Sequence, residues 1–315
     1  MDSALIYLTW TAYVPQFALI KENRSVAGLS SAYVLLVDLV NMELFSKMLL
    51  WLASSIGHRS SGLDVPPGPL EADWGSLGDW LNLLQLALQW GLSDHLLRLV
   101  LRYANADDRL PINKVQERLV PHPSPPPPQP QVKTRTIRTV WWLFFVFTLL
   151  LNILELVSAI IAPFRSIGDY IVLGFLMFWQ DLFIFATPFM LLAAYITQSR
   201  RIKRSTSATD LSGLSVDTLR LQGIVFALLG LSWVLRIRVD LWHKWYDFIQ
   251  EKPALVLVWC FQVGWLVIPG MIFAAVSAYL SLLYKRRVFP GSEAVAQQDD
   301  GQQDEVGAET APLIR

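Results

Sequence analysis

Residues 253–284 read PALVLVWCFQVGWLVIPGMIFAAVSAYLSLLY and hold no charged side chain. A helix needs about 20 apolar residues to cross the hydrocarbon core of a bilayer, so this stretch reads as a membrane span and sets how the rest is read. Working backwards, residues 139–164 are interrupted only by Glu155, and residues 170–199 only by Asp181. Residues 221–235 are uncharged, with a helix start expected near Ser212, and residues 3–20 are uncharged but short. Two stretches are more polar: residues 30–52 carry Asp38, Glu43 and Lys47, and residues 79–101 carry Asn82, Gln85, Gln89, Asp94, His95 and Arg98. Their length and flanks still fit, so the expectation is an all-α integral membrane protein with seven transmembrane helices.

Composition agrees. Of 315 residues, 53% are apolar without counting glycine, above the roughly 45–50% that soluble domains reach with glycine included. Charged residues make up 17%, against about 25% in soluble domains. The 26 basic and 26 acidic side chains cancel, leaving no bulk field to draw in nucleic acid. Cys260 is the only cysteine, which excludes an internal disulfide framework and any multi-cysteine metal site. No triad signature, metal-ligand spacing or phosphate-binding glycine loop occurs. The sequence therefore predicts no enzyme, no cofactor and no metal.

Charge also sets orientation. Only Asp2 precedes the first span, while Lys21 and Arg24 follow it, the reverse of a secretory signal. The loops and tail start that would be cytoplasmic hold 16 basic residues and the opposite loops 6. The positive-inside rule then predicts a lumenal N-terminus and a cytoplasmic C-terminus. A five-span arrangement without the two polar stretches keeps the same ends. Residues 103–138 form a polar cytoplasmic loop around VPHPSPPPPQPQ, residues 120–131. That run favours polyproline II, as a spacer or as a ligand for a proline-binding domain. Residues 288–315 form an acidic tail read as disordered. Near its end Glu309, Leu313 and Ile314 fit an acidic dileucine signal that a sorting adaptor would read.

Two stretches are similar to each other. Residues 13–30 read YVPQFALIKENRSVAGLS, and residues 195–215 read YITQSRRIKRSTSATDLSGLS. Each places a glutamine at a helix end (Gln16, Gln198), then a basic loop, then Gly-Leu-Ser, suited to a turn and a helix start. In the second copy Thr197 stands where Pro15 stands in the first. The pattern resembles the PQ-loop repeat family of lysosomal and vacuolar amino-acid transporters and, more distantly, the SWEET sugar transporters. The resemblance implies two three-helix repeats joined by a linker helix. These are residues 1–102 (spans 3–20, 30–52 and 79–101) and 169–287 (spans 170–197, 213–235 and 254–284), with the linker at 139–164. Such parallel repeats are related by an axis along the membrane normal. Proline inside a helix frees a carbonyl, and a neighbouring glutamine can satisfy it. Pro15 is then a hinge for alternating access or a fixed kink, as are Pro188 and Pro269.

Ionisable and amide groups at membrane depth mark the remaining candidates. Asn82, Gln85 and Gln89 line one helix face, as a solute path or as helix–helix hydrogen bonds; Gln180 joins them from the fifth span. Asp38 and Asp181 are the candidate ion-coupling carboxylates. Asp38 and Asn41, one turn apart, are similar to an Asp-x-x-Asn feature of the amino-acid-transporting members, set about a turn earlier. Glu43 and Lys47 are spaced to pair on one face. Trp10, Trp51, Trp74, Trp80, Trp141, Trp142, Trp242 and Trp245 fall near span ends, where interfacial anchoring is expected. Trp179, Trp259 and Trp265 lie deeper.

The reading that follows is a secondary transporter of a small polar solute, an amino acid, in a lysosomal, vacuolar or other endomembrane, with protons as candidate coupling ions. The alternative is a non-transporting sorting receptor, adaptor or scaffold, whose features are the proline-rich loop and the tail.

Overall fold

The computed structural model describes residues 2–61, 77–107, 134–161, 167–205, 211–235 and 264–288. Among them are seven helices: α1 (Asp2–Asn23), α2 (Ser31–Ser61), α3 (Leu77–Asp107), α4 (Thr134–Ile161), α5 (Ile167–Arg204), α6 (Val216–Leu235) and α7 (Gly264–Val288). The proline-rich run at 120–131, the tail from 289 onward, and Trp74, Trp242, Trp245 and Trp259 lie outside the described residues.

Four helices are long and apolar enough to cross a membrane: α1 over Ser3–Asn23, α4 over Thr134–Leu154, α6 over Val216–Trp233 and α7 over Val267–Val288. The outer faces are apolar, and a set of polar side chains is buried. Leu143, Val146, Phe178, Phe185, Phe189, Ile224 and Leu282 point outward, whereas Asp38, Asn41, Glu43, Ser46, Asn82, Gln85, Gln89 and Ser93 are buried. Water would reject that arrangement and lipid favours it. The protein is an integral membrane protein.

Helix starts follow from local chemistry. Ser30 caps α2, its hydroxyl accepting from the Tyr33 amide at 3.4 Å, and Ser215 caps α6 by accepting from the Thr218 amide at 3.2 Å. Asp217, exposed in the first turn of α6, adds negative charge where the helix dipole favours it. Between α1 and α2, Gly28 takes φ 82°, a left-handed geometry that glycine adopts freely. Arg135 and Arg138 sit exposed at the start of α4, which begins ahead of its uncharged run because such side chains can carry their charge toward water.

The packing partners are α1 with α3 and α6, α2 with α3, α4 and α5, and α7 with α5 and α6. These contacts lead from α1 through α3, α2, α5, α7 and α6 back to α1. α4 lies against α2 and α5, through Phe144 and Phe147 on Phe183. α6 and α7 approach closely where Gly230 meets Gly270: a Cβ on Gly270 would lie 3.5 Å from the Gly230 Cα. Small residues permit such contact between membrane helices.

Candidate functional site

The two glutamines of the repeated motif cross over. Gln16, buried near the end of α1, donates to the Gly213 carbonyl and accepts from the Ser215 amide at 2.9 Å. Gln198, buried near the end of α5, donates to the Gly28 carbonyl at 2.8 Å and accepts from the Ser30 amide at 2.8 Å. Each glutamine thus serves the Gly-Leu-Ser turn of the other copy, and Gln16 does not turn back to the carbonyl that Pro15 frees. The turns match despite their different loop lengths: Leu29 donates to Val26 at 3.0 Å and Leu214 to Leu211 at 2.9 Å. They also touch, with the Gly213 amide donating to the Ala27 carbonyl at 2.9 Å and Asn23 to the Ser212 carbonyl at 2.9 Å. A Cβ on Gly213 would fall 2.8–2.9 Å from Ser25 and Ala27 backbone atoms, so only glycine fits. Pro15 is half-buried in α1, and the Thr197 hydroxyl donates within α5 to Ala194.

A second polar layer lies between α2, α3 and α4. One oxygen of Asp38 accepts from the Ser93 hydroxyl at 2.7 Å and the other from the Trp141 indole at 2.7 Å. One turn on, Gln89 donates to the Asn41 side-chain oxygen at 2.7 Å. The Asn152 amide of α4 reaches the Ser46 hydroxyl. Glu43, also buried, feels the charge of Lys47 and faces Thr148 of α4. Asp94 pairs with Arg98 at 2.7 Å, while His95 sets its ring edge-on to Phe17.

The structure therefore brings Asp38, Asn41 and Gln89 into one buried seam, with Asn82 and Gln85 buried on the same face of α3. Gln180 and Asp181 belong to α5, but their side chains lie outside the described residues, as does Trp179. Glu309, Leu313 and Ile314 lie outside them too. Three participants were not singled out as site residues from sequence. Ser93 continues the stripe four residues beyond Gln89. Trp141 carries its indole to Asp38 rather than serving only as an interfacial anchor. Tyr13, whose hydroxyl faces Asn41, stands three residues before Gln16, as Tyr195 does before Gln198; Tyr195 donates to the Phe273 carbonyl at 3.3 Å.

Beside this seam is a small cavity of about 20 Å³, lined on one side by Val40, Leu44, Leu86 and Gln89. Phe226, Trp233, Pro269, Gly270 and Phe273 of α6 and α7 line the other. Its volume suits about one water molecule. One wall thus carries an amide and the other is aromatic. Among the described residues no three His, Cys, Asp or Glu side chains gather as a metal site would require.

No family model, curated protein or solved structure matches the chain.

Proposed function

We propose that the protein is a PQ-loop-type secondary transporter that carries a small polar solute, an amino acid, across an endomembrane by alternating access. The crossed glutamine clamps carry this reading. Two sequence-similar turns, each held by the other copy's glutamine, are what two parallel helix triplets around a shared axis would produce. The helix contacts support the same architecture: α3 packs on both α1 and α2, α7 packs on both α5 and α6, and α1–α6 and α2–α5 contacts join the two sets. On this reading α4 is the linker, the clamps tie the halves together at one membrane face, and the cavity between α2, α3, α6 and α7 is the narrowed centre of the pathway. Asp38, buried at membrane depth beside that centre, is the candidate proton carrier. The lysosomal or vacuolar setting and the lumenal N-terminus come from the resemblance and the loop charges.

The test is uptake by proteoliposomes containing the purified full-length chain. We expect at least one labelled amino acid from a broad panel to accumulate above empty vesicles, more strongly with an imposed pH gradient. Flat uptake across the panel, with and without the gradient, overturns the reading.

A further inference from the structure

We propose that the ends of α5 and α7 form a binding site for the headgroup of a phosphoinositide, a multiply phosphorylated inositol lipid, drawn from the membrane around the protein.

Seven of the eight residues at 200–204 and 285–287 are basic: Arg200, Arg201, Lys203, Arg204, Lys285, Arg286 and Arg287. α5 packs on α7, and the Arg287 guanidinium donates to the Lys203 carbonyl at 3.0 Å, so the two basic runs meet. Part of this is ordinary helix chemistry, because cations suit a helix C-terminus and its open carbonyls. Two such ends together carry only about one negative charge, far less than the cations gathered there. Among the described residues, no carboxylate lies within ion-pair distance of Arg200, Lys203, Arg204, Lys285 or Arg287.

Placement names the partner. On α5 the outward-facing stripe of Phe185, Phe189, Leu192 and Ile196 is continued, at helical spacing, by the exposed Arg200, Lys203 and Arg204. On α7, outward-facing Tyr279 and Leu282 lead in the same way to the exposed Arg286. The cations thus stand directly above an apolar surface that lipid tails would cover, at the depth of the headgroups. Phosphate accepts several N–H bonds from arginine forks, and clusters of about four to eight basic residues beside a span attract anionic lipids. A singly charged headgroup would neutralise one of the five unpaired cations, whereas several phosphates on one inositol ring reach several at once. On the orientation that the loop charges predict, this edge meets the cytoplasmic leaflet, where anionic lipids concentrate. The competing occupant is the chain's own tail, which carries six carboxylates between Glu293 and Glu309. Its charges are single and spread along the chain, a poorer match to a compact cluster than phosphates on one ring.

The experiment is native mass spectrometry of the purified full-length chain in detergent. Phosphatidylinositol bisphosphate, phosphatidylserine and phosphatidylcholine are offered at equal concentration, and thermal shift is read on the same mixtures. We expect the bisphosphate lipid to bind at least tenfold more tightly than phosphatidylserine and to raise Tm. Arg200→Gln/Lys203→Gln/Arg204→Gln should weaken that binding at least tenfold. Arg135→Gln/Arg138→Gln, which removes two exposed cations from the start of α4, should bind as wild type does. Should the triple variant fail to fold, Arg200→Gln and Lys285→Gln carry the test singly, each losing at least threefold. Equal binding of phosphatidylserine, unchanged affinity in the α5 and α7 variants, or an equal loss in the α4 variant overturns the proposal. Soluble inositol trisphosphate binding as tightly as the lipid would make the ligand a free phosphate. Lipid binding seen only after the six tail carboxylates are changed to amides would make the tail the occupant. Either result overturns the lipid site as well. None of these readouts involves uptake, so the site stands or falls apart from the transporter reading.

Discussion

Between α2 and α3, polar side chains meet across the seam: Ser93 donates a hydrogen bond to Asp38 and Gln89 donates one to Asn41. Between α6 and α7 there is almost nothing to give. Gly230 lies against Gly270, Gly223 lies 3.4–3.7 Å from atoms of Ala278, Ala274 and Ser277, measured from an added Cβ, and Phe226 rests on Phe273 with ring centroids 4.1 Å apart. Both solutions suit lipid, where burying apolar surface gains nothing over the tails and helices must associate through packing or hydrogen bonds. They differ in what holds them: backbone approach through small residues in one, side-chain hydrogen bonds in the other.

Substitutions can break this contrast, and the expected effects fall in order. The largest is Gly213→Val, at the turn both copies share. Backbone atoms at 2.8–2.9 Å from the new Cβ cannot retreat as side chains can, so a loss of about 3 kcal/mol or more is expected, read as collapse of the monodisperse peak and of Tm in detergent. Next comes Gly270→Leu, which should lower stability by about 2 kcal/mol through overpacking against Gly230. Gly270→Ala, meeting neighbours at ordinary contact distance, should melt close to wild type; a collapse of the alanine variant too would mean the seam is tighter than the contacts indicate. Asp38→Ala strands the Trp141 indole, for a loss of about 2 kcal/mol. Ser93 retains the Trp90 carbonyl at 2.9 Å and suffers less. The loss is read as a fall in Tm in detergent, and adding Trp141→Phe to the Asp38→Ala background should recover part of it. The smallest is Gln89→Leu, about 0.6 kcal/mol for one interhelical hydrogen bond. A loss of several times that value would show the α2–α3 seam to be a cooperative network.

Much of the framework was legible in the sequence. Uncharged runs announce α4 and α7, and Gly-Leu-Ser announces the starts of α2 and α6, because spans and caps are local chemistry. The stripe Asn82, Gln85 and Gln89 was legible as a face, since helical period alone places those residues together. Which face it met was not, because Asp38 could not be paired with Ser93 or Trp141 from spacing: those partners are 55 and 103 residues away. The glutamines show the same limit. Gln16 and Gln198 stand out by motif, and a local reading gives each to its own helix, whereas their partners lie 168 to 199 residues distant. Tyr13 was overlooked because a tyrosine on an apolar helix reads as core until its hydroxyl is found facing Asn41.

The exchanged clamps carry a consequence for how the chain is made. Threading into the bilayer in order, the ribosome delivers Gln16, Gly28 and Ser30 long before Gln198, Gly213 and Ser215 exist. The early half must therefore wait with open donors and acceptors at its membrane edge, and the late half completes both clamps together. A chain severed between α3 and α4, within residues 108–133, should recover its fold when the two pieces are co-expressed, and neither piece should persist alone.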